Sequence, residues 1–318
     1  MSARTEWSER PIQVAEPRTL EIEEPVSALQ VRLVGGTVNV VGTSEGSPAR
    51  LEISELHGPP LTVSYRKGTL TIAYEDLPWR GFLKFLDRKG WNRGAVVSVT
   101  VPAATRVEVG TVGAGAVISG ISGPTDLRGV SGDSTLVGLT GPVRADTVTG
   151  NIEAQAVTGD LGFHSVSGEL TVIDGGGGSV RAETVSGDMV LDLDRTAKGT
   201  DLNLTTVSGE IAIRLPDPAD ARVEANTASG TVSNAFDDLR VSGQWGAKRI
   251  TGALGAGTGT LKATTVSGGL ALLRRPAFEE PQETDRDNDP GDGPHGATEP
   301  AAPADPTAPP ADAEKKVL

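Results

Sequence analysis

The chain has 318 residues, no cysteine, 41 glycines, 3% aromatics and a formal net charge of −13. The missing cysteines exclude disulfides, thiolate metal sites and cysteine nucleophiles, and no run approaching 18 apolar residues predicts a membrane span. Of the charge, −8 falls after Arg275, leaving residues 1–275 mildly acidic at −5, which argues against nucleic-acid binding through phosphate neutralisation.

Residues 1–17 read as an N-terminal extension. The opening MSARTEWSERPIQVAEP lacks the apolar core of a secretory signal, and with the absent cysteines this predicts a cytoplasmic protein. Residues 18–110 read as strands. ALQVRLVGGTVNVVG alternates Leu29, Val31 and Leu33, turns at Gly35-Gly36 and resumes with Val38 and Val40. PLTVSYRKGTLTIAYE does the same with Leu61, Val63 and Tyr65, then Leu70, Ile72 and Tyr74, and Val97, Val99 and Val101 add a further strand. Period-two alternation means strands with one buried face. We read this region as a β cap or opening coils, because a bare stack of coils would end in an unpaired edge.

The segment 77–94, LPWRGFLKFLDRKGWNRG, breaks the pattern. Trp79, Phe82, Phe85 and Trp91 stand among Arg80, Lys84, Arg88 and Lys89, and Trp79, Phe82, Leu83 and Leu86 fall at helical spacing. Aromatic and basic residues on one short helix suit a membrane surface, at the inner face for a cytoplasmic protein, or a protein partner. The candidate contact set is therefore Trp79, Arg80, Phe82, Leu83, Lys84, Phe85, Arg88, Lys89 and Trp91. The competing expectation is a lid that buries these aromatics over the end of the stack.

Residues 111–275 carry a repeat. Ile121, Val130, Leu139, Val148, Val157 and Val166 stand nine apart, each before Ser-Gly or Thr-Gly, with later copies at Val185, Val207, Ala228, Val241, Ile250 and Val266. Pro124 and Pro142 mark one kind of nine-mer. Asp133, Asn151 and Glu169 mark the other, continued by Asp188 and Glu210. The true period is thus 18 to 22 residues. Apolar residues alternate within each unit, as in Val180, Ala182 and Val185, then Met189, Leu191 and Leu193. Each repeat is predicted to run strand, corner, strand, corner, with glycine where the chain turns. Such units stack into an all-β, mostly parallel β-solenoid with a slim aliphatic core. About eight coils at roughly 4.8 Å would span about 40 Å. From Pro276 to Leu318 the chain is acidic and Pro-rich, with almost nothing to bury, and is expected to be disordered.

Candidate chemistry is sparse. GTSEG at 42–46 matches Gly-x-Ser-x-Gly, but a strand rather than a helix is expected after it, so it reads as a turn. The column Asp133, Glu169, Asp188 and Glu210 could line one edge and hold calcium. Yet it offers one carboxylate per coil, and acids after glycine suit a solvated corner. We expect no cofactor. The glycine runs at 175–178 and 255–259 lack the Lys of a phosphate loop, and His164 fills a corner slot taken elsewhere by Asp146, Glu183, Thr205 and Asn226.

The TVSGD and TVSGE units, the spaced Trp, Leu, Val and Gly of the opening, and VTVPA at 99–103 resemble a bacterial family of β-strand-repeat proteins regarded as proposed adhesins, a domain of unknown function. The resemblance spans about residues 10–275. It implies a surface role and supplies no catalytic residues. The reading is a non-catalytic β-solenoid scaffold or binding module of unknown partner. The alternatives are a polysaccharide-acting β-helix enzyme and a self-assembling filament subunit.

Overall fold

The computed structural model describes residues 11–74, 93–176, 178–194, 199 and 201–276. These hold 26 strands and no helix, gathered in two sheets of 14 and 12 strands. Through the middle the chain passes from one sheet to the other twice per coil. Val143–Asp146 lies in the larger sheet, Ile152–Gln155 in the smaller and Leu161–His164 in the larger again. Each strand pairs in parallel with its equivalent one coil on, Val143 with Leu161 and Ile152 with Leu170. The chain is a β-solenoid, as the period-two alternation and the fixed repeat predict.

The register aligns the inward side chains into columns. In the larger sheet Leu127, Ala145, Phe163, Ala182, Leu204 and Ala263 lie one above another, all buried. Large and small residues alternate along this column. Phe163, fully buried, sits between two alanines. The narrow space between sheets thus accepts a ring only where its neighbours are short, which accounts for the scarcity of aromatics.

At both ends the coils stack out of sequence order, which the repeat spacing does not predict. Ala28–Leu33 lies between Thr69–Ala73 and Arg106–Thr111, and Gly35–Thr43 between Gly94–Pro102 and Gly115–Ser119. At the far end Gly259–Thr265 slots between Asp201–Thr205 and Ala221–Thr227, and Leu270–Arg274 between Ile211–Leu215 and Val232–Asn234. The last coil of the described chain is therefore the penultimate one in space. Its strands are hydrogen-bonded on both sides instead of forming an edge.

The corners follow two rules. Where the smaller sheet returns to the larger, Gly120, Gly138, Ala156 and Asp174 form a ladder at φ 65°, 61°, 51° and 51°, the left-handed conformation that a sharp turn needs. At the Thr-Val-Ser-Gly corners the glycine has a different cause. A Cβ on Gly187 would lie 1.9 Å from the Gly168 carbonyl oxygen, one on Gly209 1.9 Å from that of Gly187, and one on Gly268 1.7 Å from that of Gly209. None of these three has a positive φ. They are glycines because the coils stack through them, not because the backbone bends there.

Candidate functional site

Strict alternation from Val180 puts Ala182 and Thr184 inside and Val185 outside. The expectation that Val185 continues the buried row is thus corrected: the threonine takes the inner place. Thr184, Thr206, Thr227 and Thr265 are buried, and a buried hydroxyl needs partners. Each accepts from the glycine N–H three residues on: Gly187 at 3.1 Å, Gly209 at 3.1 Å, Gly230 at 2.9 Å and Gly268 at 3.0 Å. Thr265 Oγ1 also donates to the Gly209 carbonyl at 3.2 Å, and Thr227 Oγ1 to that of Gly268 at 3.0 Å. One side chain closes the turn and ties it to the coil beneath.

The valines that face out form a ridge. Backbone bonds run from Ser167 N–H to the Val148 carbonyl (2.9 Å), Ser186 to Val166 (3.0 Å), Val207 to Val185 (3.1 Å) and Val266 to Val207 (3.2 Å). Val148 is partly buried against the core, whereas Val166, Val185, Val207 and Val266 are 47–50% exposed. Beside them Ser186, Ser208 and Ser267 donate to carbonyls of the coil below. The ridge is apolar at its crest and hydrogen-bonded along its flank.

The acidic column exists and is used for joining coils. Asp133 Oδ1 accepts from Asn151 N–H (2.9 Å), Asn151 Oδ1 from Glu169 N–H (3.0 Å) and Asp188 Oδ1 from Glu210 N–H (2.7 Å). Among the described residues no group of three or more His, Asp or Glu side chains could hold a metal ion. At the opposite corner Asp160 accepts from both N–H and Oγ of Ser179, and these bonds hold its carboxyl below its ordinary value. Asp220 is lowered in the same way by Thr258.

Charges on the larger sheet also pair, both within strands and from coil to coil. Arg106 bridges Glu108 and Asp126, Arg144 pairs with Asp146, and Arg181 with Glu183. His164 Nδ1 lies 3.1 Å from Asp146 Oδ1, in register between Asp146 and Glu183, so it occupies a rung of this ladder. On the smaller sheet Arg214 grips Asp192, which is buried, and this bond raises the guanidinium pKa. Arg275 reaches Asp174 at 2.6 Å and the Leu193 carbonyl at 2.8 Å, pinning the end of the last strand.

A shallow depression of about 140 Å³ lies on the smaller sheet, lined by Glu210, Ala212, Thr231, Val232, Ser233 and Ala271 among others. It offers one carboxylate and no second titratable group. The nine predicted contact residues, Trp79, Arg80, Phe82, Leu83, Lys84, Phe85, Arg88, Lys89 and Trp91, lie outside the described residues. Among the described residues, Arg93 stacks over the Tyr74 ring at 5.7 Å, and burial raises the Tyr74 hydroxyl pKa while Arg93 opposes it. Among the described residues no helix is long and apolar enough to cross a membrane.

Stacked corners and two mostly parallel sheets define a β-solenoid repeat protein. Residues 115–273, half of the chain, match the Toastrack DUF4097 family model, and the chain belongs to that family. No curated protein matches it. Among solved structures it is similar to a proposed cell adhesion protein from Clostridium sporogenes, at 11% identity over 82% of this chain and 100% of that one, TM-score 0.24. A proposed lipid binding protein from Parabacteroides distasonis shares 15% identity over 83% and 98%, TM-score 0.44. A proposed adhesin from Bacteroides fragilis shares 12% over 84% and 98%, TM-score 0.44.

Proposed function

We propose that this chain is a non-catalytic scaffold, a binding module that holds a rigid ridged surface towards a partner protein. The observation that carries the reading is the column of half-exposed valines at 166, 185, 207 and 266. A single exposed valine needs no explanation. Four in register, on backbone fixed by bonds to the coils on either side, present an apolar strip already ordered before binding, which lowers the entropy cost of association. The corner itself does not require valine, because Ala228 fills the same place above Val266.

Residues 77–94, with their aromatic and basic side chains, are proposed as a second contact, to a protein or a membrane surface. No observation favours the polysaccharide-acting alternative. The corner acids stand one per coil, and Asp133 and Asp188 are engaged with backbone N–H groups.

The test replaces Val166, Val185, Val207 and Val266 together by serine and compares proteins retained from a native lysate, with a second chain lacking 77–94. The ridge reading expects an unchanged circular dichroism spectrum and loss of a specific retained protein. An unchanged set of retained proteins refutes it.

A further inference from the structure

The larger sheet runs beyond the smaller one. After Ala221–Thr227 it continues into Ala247–Leu254 and then Arg240–Gln244, while the smaller sheet stops at Val232–Asn234. Residues 235–239 close part of this step. Phe236 and Leu239 are buried, and the Asn234 side chain binds both the N–H and the carbonyl of Phe236. The outermost strand is left uncovered. Val241 shares a face with Ile250 and Ala225, which are fully buried, yet it is 53% exposed. All five residues of Arg240–Gln244 are exposed, true of no other described strand. At the hairpin tip Trp245 and Gly246 have φ 56° and 91°, the signature of a two-residue type I′ turn. Trp245 is 96% exposed.

We propose that Arg240–Gln244 pairs antiparallel with the same strand of a second copy of this chain, joining two solenoids end to end. In a two-residue hairpin the closing pair, here Gln244 and Ala247, is hydrogen-bonded, and bonding sides then alternate. Gln244, Ser242 and Arg240 therefore spend their backbone groups on the inner strand. Val241 and Gly243 turn theirs outward, where no further strand follows among the described residues.

Pairing all five residues with their own copy centres the two-fold axis on Ser242. Val241 then exchanges both backbone bonds with Gly243 of the second copy. The side chain that the smaller sheet fails to cover thus meets a residue with none. Residues 239–258 hold Arg240, Lys248 and Arg249 and no acid, and Arg249 is already paired with Glu224. In this register Arg240 faces Gln244, so no like charges are opposed. Each Trp245 lies beside the Leu239 end of the other strand. Such a contact is isologous and closes on itself, giving a dimer and no fibre. It is weak and concentration-dependent, because five residues a side fall short of the roughly 20–30 of a stable interface. It goes beyond the scaffold reading, which stands if it fails.

The test uses the full chain, which has no cysteine of its own. In the proposed dimer the two residues at 242 sit with Cβ atoms about 4.5–5.5 Å apart, close to disulfide reach. With an added oxidant at high protein concentration, Ser242→Cys should cross-link at least about tenfold faster than Ser186→Cys on the distant ridge. Wild-type sedimentation should show a dimer fraction rising with concentration. Ser242→Lys, which opposes like charges, should weaken dimerisation about tenfold while leaving the circular dichroism spectrum unchanged. A wild-type monomer at every concentration overturns the proposal, as do equal cross-linking rates at the two sites. A monomer that binds phosphatidylserine vesicles, and loses them in Trp245→Ala, also overturns it and assigns the hairpin to a membrane surface instead.

Discussion

Gly187→Ala tests why the corners are built as they are. The new Cβ would sit 1.9 Å from the Gly168 carbonyl oxygen, where about 3.0 Å is the closest tolerable approach. The two coils must separate locally by about an ångström. Ser186 N–H to the Val166 carbonyl (3.0 Å) and Leu170 N–H to the Asp188 carbonyl (3.0 Å) then stretch past useful length, as does Ser186 Oγ to the Val166 carbonyl (3.3 Å). At about 1 kcal/mol net for each bond, the loss is about 3 kcal/mol. Gly138→Ala is the control. Gly138 has φ 61° and open space around its Cβ position, so the cost is only that of a left-handed alanine, about 1–2 kcal/mol. Urea unfolding of both variants, with unchanged m-values, measures the difference. Equal destabilisation, or a larger loss in Gly138→Ala, would refute the stacking argument.

Other outcomes follow from the same geometry. Thr206→Val keeps the shape of a side chain 1% exposed but leaves the Gly209 N–H without its partner, and should cost about 1–3 kcal/mol in the same urea titrations; Ser208→Ala, exposed on the flank, should stay within about 0.5 kcal/mol. Phe163→Ala opens a void between Ala145 and Ala182 and should cost about 3–5 kcal/mol by chemical denaturation. Asp160 and Asp220 have carboxyls lowered by hydrogen bonds from Ser179 and Thr258. Their contribution is therefore complete above the unfolded carboxylate pKa of about 3.9 and is lost as pH falls through the lower folded values. Asp160→Asn should flatten the fall in melting temperature between about pH 4 and pH 2.

Much of this architecture was legible because the solenoid writes its geometry in the spacing of residues. Period-two runs marked the strands, and the recurrence of Val148, Val166, Val185 and Val207 marked a column that the backbone bonds now join. The inner face at the corner is hard to read in sequence because Thr184 and Val185 are both β-branched and suit a strand. The parity of Val180 and Ala182 held the answer. The glycine of the corner looked like a bend residue, since sequence does not distinguish a left-handed φ from a missing Cβ. The inserted coil leaves no trace in the spacing, because Ala228, Val241 and Ile250 stand between Val207 and Val266 at intervals the repeat allows. Coils join through backbone N–H and carbonyl groups, which every residue but proline carries alike. The exposed hairpin strand went unseen for a related reason, because Val241 and Ile250 continue the repeat while the strand they build runs past the end of the opposite sheet.

The stacking order of the corners can be read directly with paired cysteines in a chain that otherwise has none. Ser267 N–H bonds to the Val207 carbonyl and Ser229 N–H to that of Val266, both at 3.0 Å, so residue 267 lies one coil from both 208 and 229. The latter two are two coils apart, about 9.6 Å, beyond disulfide reach. Ser208→Cys with Ser267→Cys, and Ser229→Cys with Ser267→Cys, should each close an intrachain disulfide under mild oxidation, while Ser208→Cys with Ser229→Cys should not. Preferential closure of the 208 and 229 pair would mean that the coils follow one another in sequence order and would contradict the account.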